Sequence, residues 1–164
     1  MRVEPSVGVR HMFDISLTPT NMFLGEYSYS IDDKKRLAIP VKFRASLGKK
    51  AVITRGLDNC LFLYPMKVWD VEAKKLSQLP PGQADARGYV RIMLAGAMEV
   101  VIDGLGRILV PDYLKDYAGL SKKVVIAGLY NRVEIWDETK WNSYKQRVEG
   151  EADNIAERLK EFGV

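Results

Sequence analysis

The stretch "SIDDKKRLAIP" at 30–40 returns as "VIDGLGRILVP" at 101–111, with Ile, Asp, Arg and Pro at matching places. The likeness continues downstream. "PVKFRASLG" matches "PDYLKDYAG", each reading as a short helix with Pro at its first turn and Gly past its end. Phe43 and Leu47, and then Leu114 and Ala118, give each helix an apolar i,i+4 pair. Lys49-Lys50 and Lys122-Lys123 lead into the β-rich runs "AVITRG" and "VVIAGL". Turn residues and the strand-like "LFLYP" and "VEIWD" then close the copies. Upstream, "EYSYSI" alternates Tyr27, Tyr29 and Ile31 with Ser28 and Ser30, the period of a half-buried strand. "RILVP" is more continuously apolar and is expected to be more buried. Each copy thus reads strand, turn, strand, helix, strand, turn, strand. A unit of about 45 residues leaves an apolar face and open edges. Two such units packed on each other, in one closed pseudo-twofold barrel of α+β, β-rich class, remove both problems.

The segments around the copies read as helical. Val68, Val71 and Leu76 are expected to line a helix that ends before Pro80-Pro81-Gly82, and a second helix is expected over about 83–95. Asp137 reads as the N-cap of a helix carrying Trp141, Tyr144 and Val148. The last stretch puts Ile155, Leu159 and Phe162 on one helical face.

Composition narrows the function classes. The 164 residues contain one Cys, Cys60, in an apolar run, and one His, His11, far from it. This pair is too sparse and too separated for a zinc site or a Cys–His nucleophile, and no phosphate-cradling or nucleophile-elbow motif occurs. The reading is a protein without catalysis, metal or cofactor. No apolar run approaches the roughly 18 residues of a membrane span. The first 21 residues lack the apolar core of a secretory signal, so a cytoplasmic protein without membrane contact is expected. The net charge is only +4, but residues 30–55 hold eight basic side chains against two acidic ones, whereas 101–127 hold four against three. The positive field is expected to concentrate on the first copy.

In "DDKKR" and "DGLGR" an Asp precedes three residues and an Arg follows. Across a hairpin turn, Asp32 and Asp103 can accept turn N–H groups and pair with Arg36 and Arg107, fixing each guanidinium's direction. Gly106 suits the positive-φ place of such a turn; Lys35 stands there in the first copy, so that turn must differ or be strained. A purely structural staple would have the same pattern. The basic surplus around the first copy favours a nucleic-acid role.

These stretches, with "MFLGEYSYSIDDKKRLAIPVKFR", "LFLYP", "RIMLAGAMEVVIDGLGRILVP" and "VEIWDETKW", resemble the MraZ family of bacterial transcriptional regulators, over about residues 22–149. The resemblance implies two AbrB-like (SpoVT-AbrB) repeats forming a swapped-hairpin double-split β-barrel. It also implies ring-shaped homo-oligomers and nucleoid-associated, sequence-specific binding to double-stranded DNA. The implied target is direct repeats at the promoter of the division and cell-wall gene cluster, usually with repression. The implied organisation is an N-terminal extension at 1–21, expected to be disordered; a first repeat at 22–68; a helical connector at 69–96; a second repeat at 97–140; and a helical tail at 141–164. The family's Asp-x-x-x-Arg positions fall on Asp32 and Arg36, then on Asp103 and Arg107. Lys35 departs from the common Gly of the first copy.

On this reading Lys34, Lys35 and Arg36 lie at a hairpin tip that enters the major groove, with Arg36 and Arg107 addressing guanine. Lys42, Arg44, Lys49 and Lys50 neutralise phosphates. Three rivals stand beside it: an AbrB-like antitoxin, an oligomeric interaction protein without DNA function, and a small barrel enzyme or ligand-binding domain.

Overall fold

The computed structural model describes residues 22–164; the expected disordered extension and His11 lie outside the described residues. The first repeat supplies β1 (Phe23–Ser30), β2 (Arg36–Ala38), α1 (Val41–Leu47), β3 (Lys50–Arg55) and β4 (Leu61–Pro65). Next come α2 (Met66–Ser77) and α3 (Ala84–Val90), the latter running into a π-helical turn at Arg91–Ala95. The second repeat supplies β5 (Met98–Val101), β6 (Arg107–Leu109), α4 (Asp112–Ala118), β7 (Lys123–Tyr130) and β8 (Arg132–Asp137). Helices α5 (Glu138–Gly150) and α6 (Ala152–Arg158) follow. The class is α+β, with a largely antiparallel sheet.

The sheet order, β1-β7-β8-β4-β3-β5, interleaves the repeats. β1 pairs with β7 of the other repeat, from Phe23↔Tyr130 to Ser30↔Lys123. Its counterpart β5 pairs with β3, from Lys50↔Val101 to Ile53↔Met98. β4 and β8 meet at the centre, and β2 and β6 form a separate two-stranded ribbon. Exchanging the two repeats maps this pairing pattern onto itself. In the outer pair Gly25 faces Gly128, and a Cβ on Gly128 would come within 2.5 Å of the Leu24 nitrogen. Only glycine admits so close a backbone approach.

The central strands are buried on both faces, which is why "LFLYP" reads as an unbroken apolar run. Leu61, Leu63, Val133 and Ile135 point into the main core, where they meet Phe43, Leu47, Leu114 and Ala118 of α1 and α4. Phe62, Tyr64 and Trp136 point the other way, under α2 and α5. Here one expectation is corrected. Val68 and Leu76 pack on this second cluster, but Val71 is exposed and Trp69 takes the inward position, 5.6 Å from Tyr64 between ring centroids. The helical period from Leu76 passes through Trp69, and the indole buries far more apolar surface than a valine could. A second expectation fails at "RILVP". Ile108 and Val110 are buried while Leu109 is 59% exposed, because the ribbon has one face on the core and one on solvent.

Cys60 is a core residue. Burial pushes its thiol above the ordinary value, and its Sγ donates to the Leu57 carbonyl at 3.1 Å. Asp137 caps α5 as expected, accepting from the Lys140 N–H, and it also takes the Ser121 hydroxyl at 2.7 Å. The tail face of Ile155, Leu159 and Phe162 stays largely outside the core, with Phe162 72% exposed.

Candidate nucleic-acid interface

The two Asp-x-x-x-Arg turns match bond for bond. Asp32 N–H donates to the Arg36 carbonyl at 3.0 Å and Lys35 N–H to the Asp32 carbonyl at 2.9 Å. Asp103 N–H to Arg107 O and Gly106 N–H to Asp103 O repeat this at 2.9 Å each. One carboxylate oxygen of Asp32 accepts the N–H groups of Lys34 and Arg36, and one of Asp103 those of Leu105 and Arg107, all at 2.9 Å. The other oxygen takes the arginine Nε, at 2.7 Å for Arg36 and 2.9 Å for Arg107. These donors, led by the arginine's backbone N–H, hold both carboxyls below the usual carboxylate range. Lys35 adopts φ 62° and Gly106 φ 75°, so the first turn keeps the geometry of the second and bears the strain of a side chain in the left-handed region.

The turns lie at opposite ends of one ribbon. Beyond the pairs Arg36↔Leu109 and Ala38↔Arg107, Val110 N–H donates to the Lys35 carbonyl at 2.9 Å and Ile39 N–H to the Gly106 carbonyl at 2.8 Å. Leu37, Ile39, Ile108 and Val110 face the core. By alternation Arg36, Ala38, Arg107 and Leu109 share the outward face, and none of the four is acidic. The two arginines are diagonal neighbours across the ribbon, about 7 Å apart at Cβ. Their side chains are 34% and 28% exposed. Each guanidinium has Nε committed to its Asp, while its two terminal nitrogens have no partner among the described residues. Such a steered fork suits paired acceptors, whether a base edge or a phosphate.

The other basic residues are distributed less simply than their sequence positions imply. Lys34, Lys42 and Lys49 are exposed and form no ion pair among the described residues. Lys35 pairs with Asp112 at the start of α4, and Lys50 with Glu99 of β5 at 2.9 Å. Arg44 donates from Nε to the Ile39 carbonyl at 2.9 Å and lies against Gly106, where an added Cβ would be 2.2 Å from its Cζ. The first repeat therefore lends a cation to the second turn, while acids of the second repeat neutralise two of its lysines. The surplus does not stay on the first repeat. Sequence reasoning missed Asp112, Glu99 and the seat of Arg44, all of which are contacts between repeats. The one local signal was Gly106, a small residue that leaves room for a long one.

On the helical face, Phe62, Trp136, Trp141 and Tyr144 line a groove together with Gly25 and Gly128. Its buried acid, Glu134, is fully engaged: it accepts Trp136 Nε1 and Arg132 Nη2, each at 3.0 Å. Among the described residues no cluster of His, Cys, Asp or Glu could hold a metal, and no helix is long and apolar enough to cross a membrane.

Comparison with known proteins identifies the family. The family described as "MraZ protein, putative antitoxin-like" matches twice, over residues 22–92 and 93–163. Over 143 residues, 87% of this chain and all of each relative, the sequence is 50% identical to the transcriptional regulator MraZ of Natranaerobius thermophilus. It is 48% identical, with the same coverage, to those of Moorella thermoacetica and Acetivibrio thermocellus. These relatives carry a regulator's name, not an enzyme's. With both repeats matched and identity near one half across the described residues, the chain belongs to the MraZ family.

Proposed function

We propose that the protein is a sequence-specific DNA-binding transcriptional regulator. It represses the promoter of the division and cell-wall gene cluster by binding short direct repeats as a ring-shaped oligomer. The carrying observation is the outward ribbon face, with two carboxylate-steered arginines whose terminal nitrogens are unengaged. The cross-repeat pairing of β1 with β7 and β5 with β3 fits a swapped-hairpin double-split barrel, which sets the ribbon apart from the main sheet. A two-stranded ribbon fits the major groove, about 12 Å wide. The arginines, about 7 Å apart, span about two base steps of 3.4 Å each. Each fork donates to O6 and N7 of a guanine, worth about 1–3 kcal/mol of discrimination. Asp32 and Asp103 are positioning residues: by holding Nε they aim the fork before DNA arrives. Lys34, Lys42 and Lys49 supply phosphate contacts that raise affinity without reading sequence. One ribbon makes few contacts, so a ring on repeated boxes gains the rest by avidity. The exposed Met98 and Val101 on edge strand β5 offer a surface for self-association.

Gel shifts on the DNA upstream of the protein's own gene, repeated at rising salt, test this. Arg36→Ala is expected to abolish the preference for cognate over scrambled duplex. Lys49→Ala is expected to weaken both alike and to lower the log–log salt slope by about 0.9. Intact cognate preference in Arg36→Ala would overturn the assignment.

A further inference from the structure

The two turns share a backbone but not a tip. At the place of Lys34 in the first turn, the second carries Leu105, which is 67% exposed. A leucine at a hairpin tip gains little from the fold, since about two-thirds of it stays uncovered by the described chain. It is not loose either: its N–H is bonded to Asp103 Oδ1 at 2.9 Å, the oxygen that also holds the Arg107 N–H. Leu105 and Arg107 are thus fixed by one carboxylate, two residues apart, on the same turn. The turn contains no acid between Asp103 and Arg107, and Arg44 lies against Gly106 beside it. The second finger accordingly presents an apolar tip on a turn that also carries Arg107 and has Arg44 against its Gly106, whereas the first presents lysines.

Building on the DNA-binding reading above, we propose that Leu105 is a specificity-determining residue that reads the 5-methyl group of thymine in the major groove. That methyl is the one apolar handle a base pair offers there, and apolar side chains are its usual partners. With Arg107 on a guanine, the tip residue of the same turn meets a neighbouring base, so the second turn selects a thymine within about two base steps of that guanine. The first turn, with Lys34 at the equivalent place, makes no such selection. The two ends of one ribbon therefore read different bases, which gives a single subunit a direction on the DNA.

The test compares duplexes of the upstream region amplified with dTTP or with dUTP, which differ only in the methyl groups. Wild-type protein is expected to bind the uracil duplex about fourfold more weakly per thymine contacted, the equivalent of about 0.8 kcal/mol for one buried carbon. Leu105→Ala is expected to bind both duplexes equally while still preferring them to scrambled DNA. Leu105→Met, which restores apolar reach, is expected to recover the thymine preference. The proposal is overturned if wild-type protein binds both duplexes alike while still rejecting scrambled DNA, or if Leu105→Ala keeps the wild-type ratio. Failure of the DNA-binding reading itself looks different: wild-type protein would not separate cognate from scrambled duplex at all. Leu105 is outside the core, so circular dichroism of the variants is expected to match wild type.

Discussion

Gly106→Ala tests whether the second turn is built around an arginine from the first repeat. Three effects combine. An alanine at φ 75° pays the left-handed penalty of about 1–2 kcal/mol. Removing glycine's freedom from the unfolded chain returns about 0.4–1 kcal/mol. The new methyl also falls 2.2 Å from Arg44 Cζ and Nε, so the guanidinium must leave and the 2.9 Å bond to Ile39 O goes with it. For a half-exposed charged donor that loss is about 0.5–1.5 kcal/mol. The expected total is about 0.5–3 kcal/mol of destabilisation. Urea unfolding followed by tryptophan fluorescence, at one fixed protein concentration because oligomerisation shifts the midpoint, measures it.

The decisive comparison is the cycle with Arg44→Ala. If Arg44 sits where described, Gly106→Ala costs about 0.5–1.5 kcal/mol less in the Arg44→Ala background, because the clash and the lost bond are already absent. Equal cost in both backgrounds would refute the seating of Arg44. Lys35→Ala supplies the counterpart. The backbone strain at that position is already present in the wild type, so only a surface ion pair with Asp112 is lost, worth about 0–1 kcal/mol. A loss above about 2 kcal/mol there would contradict the bond-for-bond equivalence of the turns.

Two further outcomes follow from the carboxylates. Asp103→Asn keeps an oxygen for the Leu105 and Arg107 N–H groups but puts an amide where Arg107 Nε needs an acceptor, so the turn is expected to survive and the fork to lose its aim. In gel shifts the cognate-to-scrambled ratio is expected to fall about tenfold, within the range for one base contact, while scrambled-DNA binding holds or rises; an unchanged ratio would remove Asp103 as a positioning residue. Asp137→Ala loses the α5 cap and the Ser121 bonds, an expected cost of about 2–3 kcal/mol at pH 7 in urea unfolding. Burial alone would raise the Asp137 carboxyl, but the Ser121 hydroxyl and N–H and the α5 N–H groups outweigh it and hold it below its ordinary value. Its contribution is therefore present above the unfolded value of about 3.9 and lost as pH falls through the folded one, so the gap between wild type and variant is expected to shrink at pH 3.

What the sequence made legible was local. The turn chemistry of Asp32 and Asp103, the Pro-to-Gly helices, the Asp137 cap and the i,i+4 core pairs each depend on residues within one turn or one strand. Their spacing alone carries the signal. What it hid depends on register and on which strand meets which. Leu109 sits in an apolar run, yet the two-residue period of the ribbon turns it outward. Val71 has the right spacing for an apolar stripe, but Trp69 sets the phase of α2 by its size. Lys35 with Asp112 and Lys50 with Glu99 are ion pairs across the two repeats, visible only once β2 lies beside β6 and β3 beside β5.

The same interleaving changes how the charge should be understood. Counting bases by position puts the surplus on residues 30–55 and favours the first repeat as the seat of the positive field. In the fold, β2 and β6 are one ribbon, so no ligand approaching its outer face could meet one repeat without the other. Arg44 belongs to the first repeat by sequence and to the second turn by position; Asp112 holds Lys35 in return. A duplicated turn whose copies stayed independent would bring two identical contacts. Here each copy meets a side chain of the other, and the tips differ, one carrying lysine and one leucine, while Asp32 and Asp103 hold Arg36 and Arg107 by the same bond to Nε.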